Sequence, residues 1–366
     1  MKILVTGTRG IPNILGGVES HCENLFPLIQ GEDFDITVTR RSAYIAEDNK
    51  ISEFKGVKLI DVYSPKNKST EAIVHTFLAV LYAKRKNFKY VHIHAIGPAL
   101  IAPVARLLGL KVVMTHHGPD YNRQKWSWSA KTMLKIGEWC AAKFANEIIV
   151  ISETINSILK EKYKRYDATH LIYNGVNLPV LAQSDNYIKG LGLNVHEYII
   201  AVGRFVPEKG FHDLIEAYKK SGITQKLVLV GDADHETEYS KKLKKQAQEN
   251  NIVLTGFIKG EKLNEIFTYA ALFVMPSYHE GLPIALLEAM SYNLNIFVSD
   301  IPANKEVGLP DEMYFECGNV NQLSEKLKKS VYSKKSNNFT ELLKQKYSWK
   351  IIAEQTKEVY KLLELE

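Results

Sequence analysis

Two carboxylates, Glu280 and Glu288, frame the stretch Ser277-Tyr-His-Glu-Gly-Leu-Pro-Ile-Ala-Leu-Leu-Glu288. An apolar run, Leu272 to Met275, stops at Pro276, a polar turn carries Glu280 and Gly281, and Pro283 stands where a first helical turn is expected. The backbone N–H groups of Gly281, Leu282 and the residues after Pro283, aligned with a helix dipole, would favour a phosphate. A carboxylate beside a diphosphate is repelled unless it accepts hydrogen bonds from hydroxyl groups, and a nucleotide sugar carries hydroxyls at both its sugar and its ribose. With Glu288 two turns inside the helix, the pair would span up to about 12 Å, roughly the reach from hexose to ribose. The same stretch also fits an ordinary strand-turn-helix of an α/β sheet.

Cations for such a diphosphate stand in Gly203-Arg-Phe-Val-Pro-Glu-Lys-Gly210, directly after the apolar strand Tyr198 to Val202. Arg204 can bind bidentately and Lys209 as a point charge. Gly16-Gly17 at a helix start lets backbone approach a phosphate closely, or is a plain capping turn. His116-His117-Gly118 follows the strand Lys111 to Thr115, where a histidine can polarise a hydroxyl or take a proton. His92 and His94 share one strand face and raise a zinc site, but no carboxylate or cysteine partner accompanies them, so no metal is expected. Asp33 with Asp35, and Asp232 with Asp234, read as loop or strand-start acids rather than ligands.

A competing chemistry begins at Gly7-Thr-Arg-Gly-Ile-Pro-Asn13, which leaves the first strand as a dinucleotide-binding loop would. Asn13 replaces its third glycine, and Arg40-Arg41 stand where an acidic residue is wanted, although arginines there can hold a 2′-phosphate. An NAD(P)-dependent sugar-nucleotide epimerase or reductase would use a Tyr-x-x-x-Lys pair, a spacing met by Tyr82/Lys86 and Tyr121/Lys125. A non-enzymatic protein that binds sugar nucleotides or glycans is the third reading.

The elements that must position these residues alternate. Apolar strands at Lys2 to Thr6, Asp35 to Thr39, Val57 to Val62, Tyr90 to His94, Lys111 to Thr115 and Glu147 to Ile151 are separated by helical patterns, among them Val18, Cys22, Leu25 and Ile29. After Tyr173-Asn174-Gly175-Val176 a polar segment, Gln183 to Gly192, reads as a linker. A second alternation follows, with strands at Tyr198 to Val202, Lys226 to Val230, Ile252 to Leu254, Leu272 to Met275 and Asn295 to Val298. This predicts an α/β chain of two doubly wound parallel-sheet domains, residues 1–182 and 183–346, whose ligand crevices lie at the carboxyl ends of the strands. A last helix, Trp349 to Leu363, needs a partner for Ile352, Val359 and Leu363.

With 366 residues, two domains are expected. Three scattered cysteines give neither a disulfide framework nor a zinc signature, so a reducing cytoplasm fits. The first apolar run is too short for a signal peptide, and nothing approaches about 18 uninterrupted apolar residues, so no membrane span is expected. Residues 1–180 carry 24 Lys+Arg against 16 Asp+Glu, a net +8, which leaves −2 for the rest of the +6 chain. The clusters Tyr82 to Lys86 with Lys89, and Lys160 to Arg165, suit either a solvated face or anionic lipid headgroups, whereas no nucleic-acid motif accompanies them.

Taken together, the Glu280-x7-Glu288 pair, Gly203-Arg204 with Lys209, Asn174-Gly175-Val176, Thr115-His116-His117-Gly118 and Gly16-Gly17 resemble the retaining glycosyltransferases of family 4, with GT-B architecture. The opening Gly-Thr-Arg-Gly-Ile-Pro with Gly-Gly-Val-Glu is similar to a bacterial branch that includes polysaccharide rhamnosyltransferases. The resemblance implies transfer of a hexose or 6-deoxyhexose from a UDP-, GDP- or dTDP-linked donor to a lipid-linked or oligosaccharide acceptor, with retention, no cofactor and no required metal. By position, Arg204 and Lys209 would hold the diphosphate, Glu280 the donor sugar and Glu288 the ribose. Gly17 would approach the phosphates and the base would lie against Gly256-Phe257. His117 would contact the sugar, with His116 the alternative. It further implies that the last helix crosses back to the first domain, while the net +8 of residues 1–180 predicts work at the cytoplasmic face of the cell membrane as a peripheral protein.

Overall fold

The computed structural model describes residues 1–14, 16–66, 70–122, 127–233, 236–330 and 337–365. The chain divides into two compact units, Met1–Gly175 with Lys346–Glu366, and Val176–Gln345.

The first unit holds β1 (Lys2–Thr6), β2 (Asp35–Arg41), β3 (Glu53–Phe54), β4 (Val57–Val62), β5 (Tyr90–His94), β6 (Lys111–His116), β7 (Glu147–Val150) and β8 (Thr169–Leu171), in the order β3-β4-β2-β1-β5-β6-β7-β8. Every pairing is parallel except β3 with β4. The second unit holds β9 (Tyr198–Val202), β10 (Lys226–Val230), β11 (Val253–Gly256), β12 (Leu272–Met275), β13 (Asn295–Ser299) and β14 (Tyr314–Phe315), all parallel in the order β11-β10-β9-β12-β13-β14. The central strands are buried on both faces because crossover helices cover both, hence their unbroken apolar runs. In each sheet the strand order reverses once, between β1 and β5 and between β9 and β12, and the loops leaving those strands flank the ligand position of an open α/β sheet. The two-residue strands β3 and β14 were not legible as strands, since so few residues carry no periodicity.

The closing helix Trp349–Leu365 belongs to the first unit, as the resemblance implied. Ile352, Val359 and Leu363 join Leu25, Phe26, Ile29 and Phe34 in one apolar cluster. The Tyr360 hydroxyl lies 2.6 Å from His92 Nδ1, and Lys111 Nζ donates to Leu363 O at 2.6 Å. At Gly175 a Cβ would stand 2.3 Å from Trp349 Cδ2, so the glycine exists to let the indole lie flat on the backbone.

Two expectations change. The segment read as a linker carries the short helix Asn186–Gly190 within the second unit, because Ile188 is fully buried and its N–H finds Glu265 Oε1 at 2.9 Å. The cluster Lys160 to Arg165 is only partly a solvated face. Arg165 donates to the carbonyls of Ala142, Ala145, Asn146 and Ala168, and Lys162 pairs with Glu138 at 2.7 Å.

Candidate functional site

Four parallel strands of the second unit end at one edge. Gly203 follows β9, Gly231 follows β10, Gly256 ends β11 and Pro276 follows β12. Backbone packs on backbone there. A Cβ on Gly231 would fall 2.1 Å from Gly203 O, and one on Gly210, which has φ +66°, would fall 2.1 Å from Pro276 O. The turn around Lys209 is thereby pressed onto the turn after β12, where Tyr278 N–H donates to Glu208 O at 2.8 Å. That contact brings Lys209 Nζ to 2.6 Å from Glu280 Oε1, and the Ser277 hydroxyl donates to the same oxygen at 2.7 Å. Burial alone would raise the Glu280 carboxyl, but the Lys209 ammonium and the Ser277 hydrogen bond outweigh it and hold the group below its usual value, as an anion. Lys209 and Glu280 thus form one ion pair, with the half-buried Arg204 on the same loop.

The helix after this turn begins at Ile284, with Pro283 as its cap, one residue later than expected. Glu288 therefore lies little more than one turn inside it rather than two, so the helical rise fixes only the Ile284-to-Glu288 part of the span between the carboxylates. Leu286 and Leu287 both donate to Pro283 O, so Ile284 and Ala285 supply the helix-start N–H groups. Leu282 and Pro283 are buried, and Gly281 is partly open. The half-buried Glu288 carboxylate meets no hydrogen-bond donor or cation among the described residues, and burial pushes it up to about 7. At the carboxyl end of β11, Gly256 adopts φ +65° and Phe257 is 53% exposed.

In the first unit the two adjacent histidines part company. His116 is fully buried, its Nε2 3.0 Å from Glu138 Oε1 and its Nδ1 accepting the Gly118 N–H at 3.1 Å. Glu138 is itself fully buried and also accepts from the Tyr121 and Tyr163 hydroxyls at 3.1 and 2.6 Å. Burial opposes its charge, yet His116, Lys162 and Tyr163 together draw it down to about 2. Glu138 carried no motif, and its only signal was a lone carboxylate in the apolar stretch from Gly137 to Ala142. His117 is partly exposed and turns instead to His94, whose Nδ1 is 2.9 Å from His117 Nε2. His21 stands 5.0 Å from the His117 ring, centroid to centroid, with its Nδ1 2.8 Å from Asn174 Oδ1. The Asn174 Oδ1 is thus engaged by His21. Burial lowers His21 to about 4 and holds His94 and His117 well below the usual histidine value.

The Gly16-Gly17 turn already holds an anion. Glu19 accepts from the Thr8 hydroxyl at 3.1 Å and from Arg9 N–H at 2.9 Å, and a Cβ on Gly16 would strike its carboxylate. Gly17 faces open space. The 2′-phosphate reading of Arg40 and Arg41 is overturned, since both guanidiniums are buried and committed. Arg40 binds Asp61, Asn49 O and Ile51 O, and Arg41 binds Glu71 and Gly7 O. Gly7 and Gly10 serve packing, for a Cβ on them would strike His94 O and Arg40. Asp35 pairs with Lys58 and Asp232 with Lys244, while Asp234 and Lys125 lie outside the described residues.

Residues 15–179 match the Glycosyltransferase Family 4 domain, and residues 184–346 match Glycosyl transferases group 1. Over 326 residues, 83% of this chain and 81% of the other, the sequence is 28% identical to the UDP-Gal:alpha-D-GlcNAc-diphosphoundecaprenol alpha-1,3-galactosyltransferase of Escherichia coli. The fold is similar to that of sucrose-phosphate synthase from Thermosynechococcus elongatus, with a TM-score of 0.83, 20% identity and coverage of 99% and 98% of the two chains. It is likewise similar to Anabaena HepE in complex with UDP-glucose, with a TM-score of 0.81, 19% identity and both chains fully covered. With matching domains over both halves and two parallel-sheet Rossmann-like units, the chain belongs to the glycosyltransferases of family 4 and group 1, and its fold is GT-B.

Proposed function

We propose that this glycosyltransferase moves a hexose or 6-deoxyhexose, with retention and without a required metal, from a nucleoside diphosphate to a lipid-linked or oligosaccharide acceptor in bacterial surface-polysaccharide assembly. The observation that carries the donor reading is Glu288, a half-buried carboxylate raised to about 7 with no partner among the described residues, one turn inside the helix that follows the ion-paired Glu280. A carboxylate kept at such cost suits a site where ligand hydroxyls donate to it. In this reading Glu288 takes the ribose hydroxyls and Glu280 the donor sugar. Lys209 keeps N–H donors to spare beyond Glu280, and with Arg204 it neutralises the diphosphate. The N–H groups of Gly281, Leu282, Ile284 and Ala285 add their dipoles. The base lies along Gly256 and the exposed Phe257, and His117, the more accessible histidine, contacts the sugar. No side chain is spaced as a nucleophile, which suits a front-face displacement in which the leaving phosphate accepts the acceptor's proton.

Support for a lipid-linked acceptor comes from the Escherichia coli relative, whose name specifies a diphosphoundecaprenol substrate. On the helix Trp128–Phe144, Trp128 and Trp139 are 82% and 45% exposed and share a face with Lys135 and Lys143, a pattern that suits a headgroup layer. No helix among the described residues is long and apolar enough to cross a membrane. In this reading the +8 first half and the exposed Trp/Lys face hold the protein peripherally at the cytoplasmic membrane face. Calorimetry with UDP-, GDP- and dTDP-sugars tests the site. Lys209→Ala and Glu288→Ala are expected to lose most donor affinity or turnover, and wild-type affinity in both would refute the assignment. A wild-type protein that ignores anionic liposomes at low salt would remove the membrane part.

A further inference from the structure

The donor reading employs His117 and leaves its two neighbours without a task. His21 comes from the helix Gly17–Ile29, His94 ends β5 and His117 follows β6, so the tertiary fold alone assembles the three rings. One ring nitrogen from each can be chosen so that all three lie within 4.8 Å of one another. His94 is fully buried; its Nδ1 faces His117 Nε2 at 2.9 Å, and its Nε2 has no hydrogen-bond partner among the described residues, an unusual state for a polar atom shut away from water. The surroundings fix the rings as a metal site requires. Asn174 holds His21 through Nδ1, the Trp349 ring packs edge-on against His21 at 5.5 Å, and Phe26 packs edge-on against His94 at 5.6 Å. Imidazoles walled in this way stay neutral, the form that ligates a metal.

We propose that His21, His94 and His117 bind one late first-row transition-metal ion, Zn2+ or its analogue Co2+, with a fourth position open, and that the bound ion inhibits the transferase by withdrawing His117. Zinc–imidazole bonds of about 2.0–2.1 Å place tetrahedral nitrogens about 3.3 Å apart, so the widest separation must close by at most about 1.5 Å while the 2.9 Å His94 Nδ1–His117 Nε2 pair opens slightly, within reach of small rotations of the three rings. Nitrogen ligands without a carboxylate disfavour Mg2+ and Ca2+. The ion is not required for turnover here. It competes with the substrate for the one histidine that both use.

The binding part stands on the cluster itself, whereas the inhibition part rests on the role given to His117. Full-length protein stripped with a chelator is titrated with Co2+, read by its visible d–d absorption, and with Zn2+ by calorimetry. One ion per chain is expected, with affinity at least about tenfold weaker in His21→Gln and in His94→Gln. Zn2+ should lower wild-type turnover, while His21→Gln keeps its turnover and escapes the inhibition. The Co2+ spectrum of the wild type needs no variant, so misfolding of His94→Gln leaves the test intact. No visible band at saturating Co2+, or unchanged affinity in a folded His21→Gln, would overturn the site. Binding without inhibition would overturn its second half. Loss of the donor reading would show separately, as wild-type nucleotide-sugar affinity in Lys209→Ala and Glu288→Ala.

Discussion

Replacing Glu288 with glutamine should make the protein more stable while weakening its grip on the donor. The carboxyl is raised by burial from 4.5 to about 7. Between those two values the unfolded chain has released the proton and the folded chain still holds it, so stability falls as pH rises, and the full penalty is present above about 7. At about 1.36 kcal/mol per unit the penalty is at most about 3 kcal/mol, and partial access of water to the half-buried group reduces it to about 1–2 kcal/mol. The amide has no charge to desolvate. Glu288→Gln is therefore expected to raise the melting temperature of the second domain by roughly 2–8 °C at pH 8.5, and by well under half of that at pH 5. Calorimetric melting at the two pH values, beside donor titration, measures both effects. Equal melting of variant and wild type at pH 8.5, or a gain that does not shrink at pH 5, would refute the claim that burial of this unpartnered carboxylate strains the fold.

Three further outcomes follow from the packing. Gly175→Ala drives a Cβ to 2.3 Å from the Trp349 ring, and urea unfolding should show a loss of about 1–3 kcal/mol; a loss under about 0.5 would mean that the indole can shift. Arg165→Met strips four backbone carbonyls of their donor and should cost about 2–4 kcal/mol, with the specific activity of the folded fraction unchanged. Glu138 is held at about 2, so its share of stability is present above its ordinary value near 4.5 and is lost as pH falls toward 2. Glu138→Gln should accordingly remove that acid-dependent loss from the first domain's unfolding curve and lower turnover more than donor affinity, since His116 holds the Gly118 backbone beside His117.

Much of the fold was legible because apolar runs and helical stripes are local records of burial. Strands such as Val57–Val62, Tyr90–His94 and Leu272–Met275 were readable to the residue, and two alternations of strand and helix suffice to imply two doubly wound sheets. Turn chemistry was less legible. Pro283 looks like a first helical residue from its type, and only the bonds from Leu286 and Leu287 to its carbonyl make it the cap.

The sequence by itself determined the fold class and the residue types at the strand ends, including Glu280, Glu288, Lys209 and the glycines among them. What the tertiary structure decided was partnership. Arg40 and Arg41, plausible phosphate ligands by position, are spent on Asp61, Glu71 and loop carbonyls. Lys209 and Glu280, separate in the chain, become one ion pair because Gly210 admits the Pro276 carbonyl. His21 meets His94 and His117 only through the crossing of a helix over two strands, and Glu138 finds His116 in the same way. Spacing along a chain records which face of an element is buried, but which side chains share that buried space is set by the order of strands in the sheet.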